Sequence, residues 1–199
     1  ALTAADKGLL DESDTTGSGT DGIFTASVGF ADNFTATAYG ADGAGAVAYA
    51  LVLTGTNVAS GFFALGTNGA QGEAIVLNQT GATITGTAGG QTYFVISIDN
   101  DPASATFGTA TFTLNADRPI WHSATGANGT NHDDADTMSV AANALVVQQT
   151  VTDGDGDTAT ATLDIGTGVF TIEDDGPKAS ATALTAADKG LLDESDTTG

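Results

Sequence analysis

Short runs in which small or β-branched residues alternate with polar ones, each closed off by glycine, asparagine or aspartate, recur along the whole chain. In "TATATLDI" (158–165), Ala159, Ala161, Leu163 and Ile165 alternate with Thr158, Thr160, Thr162 and Asp164. That is the period of a strand with one buried face. Similar runs stand at 22–30, 46–55, 72–90, 91–99, 110–117, 143–153 and 168–176. The helix formers Lys, Arg, Glu, Met and Gln are scarce, whereas the chain holds 27 glycines. Strands separated by glycine turns follow, and short strands at regular spacing predict an all-β, Ig-like antiparallel β-sandwich. One helix candidate occurs, "LTAADKGLL" (2–10 and 184–192), in which Thr3 can cap a turn, but Gly8 interrupts the run, and the whole stretch 177–195 reads as a connector followed by a first strand.

Residues 1–17, "ALTAADKGLLDESDTTG", return unchanged as 183–199, so the sequence repeats with a period of 182 residues. That period is the size of a domain and far exceeds a solenoid repeat. The chain therefore reads as one unit of a tandem array plus the start of the next. A connector is expected over 1–10, a sandwich over 11–177, and a connector with the start of the next unit over 178–199. Pro177 and the small residues after it mark the way out of the unit.

The formal net charge is −21, with only four lysines and arginines, yet 41% of residues are hydrophobic. A core is affordable, and the chain falls outside the disordered class. The charge argues against nucleic acid and anionic membranes as partners and in favour of cations. With no cysteine, disulfides and Cys-ligated metal sites are excluded. No run approaches the about 18 apolar residues of a membrane span, and direct membrane insertion is not expected.

The acidic residues cluster. "VTDGDGDTATATL" (151–163) sets Asp153, Asp155 and Asp157 at alternate positions in what reads as a hairpin tip between strands 145–152 and 157–165. Carboxylates at that spacing, with glycine between them, can aim oxygens at one point, and calcium takes about six to eight oxygens. The spacing matches the first half of an EF-hand loop, and Asp164 falls at its last position, but the flanks are strands and glycine is missing where that loop needs it. "IEDDGP" (172–177) supplies Glu173, Asp174 and Asp175 where the last strand leaves the unit. "LLDESD" supplies Asp11, Glu12 and Asp14 at the start of one unit, and Asp193, Glu194 and Asp196 at the start of the next. If the end of one unit abuts the start of the next, Ca2+ between them would stiffen the joint. The alternative is that these aspartates are only turn formers. "IDNDP" (98–102) and "HDDAD" (132–136) are weaker candidates, an Asx turn and a solvated loop respectively.

No catalytic constellation appears. His122 beside Ser123 lacks a nucleophile elbow and reads as a packed residue after Ile120 and Trp121, and His132 has neither a zincin helix nor a second histidine nearby. The acids sit in glycine-rich loops rather than in the apolar pocket a glycosidase acid needs. No enzyme is expected.

"LLDES", "YGADGAGAVAYALVLTG" (39–55), "TLNADRPIWH" (113–122), "TVTDGDGDTATATLDIG" (150–166) and "FTIEDDGP" (170–177), in this order, resemble the long repeats of giant RTX-type bacterial adhesins. The resemblance implies a type I-secreted extracellular or cell-surface protein of a Gram-negative bacterium. In it, tandem sandwich repeats of the repeats-in-toxin class act as calcium-stiffened extenders. It carries the ligand role to Asp153, Asp155, Asp157, Glu173, Asp174, Asp175, Asp11 and Glu12, with Asp193 and Glu194 as the copies in the next unit. The G-G-x-G-x-D nonapeptide of RTX secretion blocks is absent. Expected partners are adjacent repeats of the same chain, with lateral self-association open through unpaired edge strands. A calcium-dependent module recognising glycan or a surface, through Trp121 or residues 59–72, is the competing reading.

Overall fold

Burial alternates residue by residue along Thr83–Ala88, with Ile84, Gly86 and Ala88 inside and the threonines half-exposed, as a period-two strand requires. In the computed structural model, which describes residues 6–12, 24–35, 37–123, 134–174, 181–183, 185 and 190, the chain forms twelve strands. They are β1 (Gly8–Asp11), β2 (Thr25–Gly29), β3 (Ala44–Leu53), β4 (Val58–Leu65), β5 (Gln71–Thr80) and β6 (Thr83–Ala88). Then follow β7 (Gln91–Ile98), β8 (Thr109–Leu114), β9 (Ala135–Ser139), β10 (Leu145–Asp153), β11 (Thr158–Asp164) and β12 (Thr167–Glu173). No α-helix occurs among the described residues.

One layer is a six-stranded antiparallel sheet in the order β2-β8-β7-β6-β5-β4. Its hairpins are set by turn chemistry: Gly89 and Gly90, at φ of +56° and +74°, make the two-residue turn between β6 and β7, a backbone that residues with a Cβ rarely adopt. The facing layer consists of two three-stranded sheets, β11-β10-β3 and β1-β12-β9. They are joined where Val140 N–H, after β9, donates to Gly166 O in the turn between β11 and β12 (2.8 Å). Among the described residues all pairings are antiparallel except β1 with β12, which run the same way from Gly8↔Phe170 to Asp11↔Glu173.

The protein is therefore an all-β sandwich, and buried residues from all three sheets form one contiguous core. A column of rings crosses it. Phe62 meets Phe94 edge-on at 5.9 Å, Phe94 stacks on Phe112 at 4.5 Å, and Phe112 reaches Phe170 of β12 at 5.1 Å. Tyr49 forms a second knot with Phe34 and Phe107, and its hydroxyl accepts from Gln149 Nε2 at 3.0 Å.

The first strand expected after the connector is β1, so the interrupted helix candidate at 2–10 is strand over Gly8–Leu10. Gly8 lies against Phe170 and Ala26, where a Cβ would come within 2.9 Å and 3.0 Å of them, and Leu10 is fully buried. Gly8 and Leu10 thus pack into the sandwich. One sequence expectation needs correction, the buried face of β11. In β11, Ala159 and Ala161 are exposed, and burial begins only at Leu163 and Ile165. The half of β11 near the turn and the start of β3 are both exposed, so alternation there has no core to point at.

Candidate metal centres

The "DGDGD" tip is the predicted hairpin turn: β10 and β11 pair in register from Val146↔Asp164 to Thr152↔Thr158. Asp153 closes it, its Oδ1 accepting from Gly156 N–H (3.1 Å) and Asp157 N–H (2.8 Å) while its own N–H donates to Asp157 O (3.0 Å). Hydrogen bonding with the Asp155 side chain first, and then these backbone donors, hold the Asp153 carboxyl below the usual aspartate range.

The convergence differs from the one the spacing predicts. Oxygens of Asp153 and Asp155 gather within 4.8 Å with one from Asp42, in the turn before β3, and Asp157 stands outside this group. Asp42 is brought there because β3 pairs with β10 and because Gly154 N–H donates to Gly43 O at 3.0 Å. A Cβ on Gly154 would lie 2.2 Å from Asp42 O. Gly154→Ala should therefore lift the tip off the Asp42 turn and cost about 1–3 kcal/mol, the usual range for overpacking. Urea melts of the two proteins check this, and an unchanged midpoint would show the tip free to move aside.

The second group lies at the other end of the facing layer. Glu12 follows β1 and Asp174 follows β12, and the parallel pairing carries both to the same end. His122 arrives from the edge of the large sheet, where Trp121 N–H donates to Phe63 O (2.8 Å) and Ala64 bridges Ile120. One donor atom each of Glu12, His122 and Asp174 lie within 4.8 Å of one another. Glu12 Oε1 accepts from Ile120 N–H at 3.2 Å, which fixes the carboxylate. Its Oε2 stands 3.6 Å from His122 Nε2, and Asp136 Oδ2, from β9, stands 3.4 Å from Nδ1. Neither contact has hydrogen-bond geometry, and both ring nitrogens are buried without a hydrogen-bond partner among the described residues.

Burial of the ring disfavours its charged form, but the Glu12 carboxylate and the charges of Asp174 and Asp136 outweigh it and hold the imidazole above its ordinary value. Asp136 is pushed up by burial, then by Asp134, against the opposing pull of His122.

Of the other predicted ligands, Asp11 and Glu173 are register partners one residue before Glu12 and Asp174. Asp14, Asp175, Asp193, Glu194 and Asp196 lie outside the described residues. Of the weaker candidates, His132 and Asp133 of "HDDAD" lie outside the described residues, while "IDNDP" forms a turn. Asp99 caps the "IDNDP" loop, with Oδ1 accepting from Asp101 N–H (2.9 Å) and Oδ2 from Thr106 Oγ1 (2.7 Å). Hydrogen bonds from Ser104, Thr106 and Asp101 lower its pKa. Asp164 accepts from Asn143 N–H (2.8 Å) and Gly166 N–H (2.9 Å), a turn role.

Sequence reasoning missed Asp42 and His122 as members of acidic groups, whereas Asp136 belongs to the weaker candidate "HDDAD". Asp42 sits in an ordinary Ala-Asp-Gly turn, and His122 follows apolar residues, so neither carries a local signal. His122 makes no hydrogen bond to Ser123, which is exposed.

A family profile described as a domain of unknown function, DUF5801, matches residues 8–166. The chain belongs to the DUF5801 family. No curated protein and no solved structure matches it. In this DUF5801 domain the matched stretch takes in β1 to β11 with the hairpin-tip group, while β12 and Asp174 follow it.

Proposed function

We propose that this DUF5801 domain is a structural extender repeat of a large extracellular bacterial adhesin or surface filament, stiffened by calcium at its loops and inter-repeat joints. The observation that carries the reading is the parallel pairing of β1 with β12. Strands that run the same way take the chain in at one end of the pair and out at the other. Successive units joined through residues 183–199 then add length instead of folding back. The identical segments 182 residues apart support an array, and the resemblance to RTX-type adhesin repeats supports type I secretion from a Gram-negative bacterium. The acidic hairpin tip supports calcium, as does the excess of 25 Asp and Glu over four Lys and Arg. The exposed edge strand β11 supports lateral association between arrays.

A site with a dissociation constant of about 0.1 mM, in about 1 mM calcium, adds roughly 1.4 kcal/mol to folding. Several sites together raise the stability of each unit outside the cell, where calcium is plentiful. The test is a thermal melt of a chain of two units, with Ca2+ and with chelator, alongside small-angle scattering of both samples. A lower melting temperature together with a shorter or flexing particle on chelation is the expected result.

If melting and shape stay the same, the aspartates are turn residues, and the module that recognises a glycan or surface takes the lead. Trp121 is the observation in favour of that second reading: its ring is only half-buried, edge-on to Phe63 at 6.3 Å, beside the His122 group.

A further inference from the structure

We propose that Glu12, His122 and Asp174 form a site for a divalent transition cation of the zinc class, with Asp136 orienting the imidazole. The proposal does not rest on the extender reading. Three donor atoms within 4.8 Å, from three segments distant in sequence, are the first observation. The second is independent of the acids: the His122 side chain is 1% exposed, and both its nitrogens lack a hydrogen-bond partner among the described residues. A buried ring with neither nitrogen satisfied is rare unless something else is bound to it.

Its two nitrogens face different carboxylates, Nε2 towards Glu12 Oε2 at 3.6 Å and Nδ1 towards Asp136 Oδ2 at 3.4 Å. Metal-bound histidines recur in this arrangement, one nitrogen on the ion and the other N–H directed at a carboxylate that fixes the ring. The spacing agrees. Bonds of about 2.0 Å in a tetrahedral shell place neighbouring donors about 3.3 Å apart, close to the Nε2–Oε2 separation, whereas a direct N–H···O bond settles near 2.9 Å.

The donor set chooses the class. One imidazole with two carboxylates suits zinc and its neighbours, while calcium takes about six to eight oxygens. The scaffold is already placed, since Glu12 is held by Ile120 N–H (3.2 Å) and by its own N–H to Glu173 O (3.0 Å), and Asp174 N–H donates to Asp134 O (2.9 Å). An ion there ties the first strand, the last strand and the edge of the large sheet together. The competing occupant is a proton, which would leave an imidazolium between the carboxylates.

The metal-stripped 199-residue chain, in excess Ca2+ to fill oxygen-only sites, is titrated with Zn2+ by calorimetry and with Co2+ by visible absorption. The imidazole nitrogens are followed by NMR, which is simple because the chain has two histidines. The expected result is one equivalent of Zn2+, tetrahedral Co2+ bands, a higher melting temperature and displacement of the His122 ring signals. His122→Ala and Asp174→Asn should each weaken binding at least tenfold, whereas Asp155→Asn and His132→Ala should not. His122→Ala can also disturb packing, so the wild-type ring signals decide. If they stay in the imidazolium pattern at one equivalent of Zn2+, or if binding is lost with His132→Ala, the proposal is overturned.

Discussion

Replacing Phe112 with alanine should destabilise the domain by about 3–5 kcal/mol, the range for truncating a large buried aromatic. Phe112 is fully buried in β8, and its ring is the middle of the column, stacked on Phe94 at 4.5 Å and tilted against Phe170 at 5.1 Å. The last of these contacts crosses between the layers, from the six-stranded sheet to β12. Alanine thus removes both transfer energy and two ring contacts, and the flanking phenylalanines cannot close the gap without leaving their own sheets. At about 2–4 °C per kcal/mol for a chain of this size, the melting temperature should fall by roughly 6–20 °C. Thermal and urea melts measure it. A loss below about 1 kcal/mol would mean that the column does not hold the layers together.

Leu10→Ala should cost about 2–5 kcal/mol, a large effect for a strand of four residues. Among the described residues strand β1 has only β12 as a hydrogen-bonded neighbour, and Leu10 is its one large side chain in the core, while Leu9 points outward at 47% exposure. Truncating Leu10 leaves the strand held by backbone bonds and by Gly8 against Phe170. Amide hydrogen exchange should then show Leu10 and Glu12 losing protection before the six-stranded sheet does, because the damage is local to one edge. In a tandem array the pull arrives through β1, so the same substitution should lower the force at which a unit opens. Uniform loss of protection across both layers, with no early release of β1, would contradict this picture.

The strands were legible because their information is local. "TITGTA" alternates whichever sheet it joins, Gly89-Gly90 turns the chain by its own backbone freedom, and the hairpin around "DGDGD" appears within a residue of its expected ends. The same reasoning overreached in "TATATLDI", since alternation reveals which residues share a face and not whether a second layer covers it. It also left β1 ambiguous, because "ADKGLL" has a weak helical pattern until pairing with β12 and the fit of Gly8 on Phe170 decide otherwise.

The acidic groups mark the same boundary. By itself the sequence determined that carboxylates gather at a hairpin tip and at both ends of the unit, through composition and turn chemistry. Only the tertiary structure decided which of them meet. It replaced Asp157 with Asp42 at the tip, through the pairing of β3 with β10. It also joined Glu12 to Asp174 around a buried His122, with Glu12 bonded to the backbone of a residue 108 positions away. The physical reason is that alternation and turns are properties of neighbouring residues, whereas these contacts depend on non-local strand pairings, above all a parallel one that no short stretch encodes.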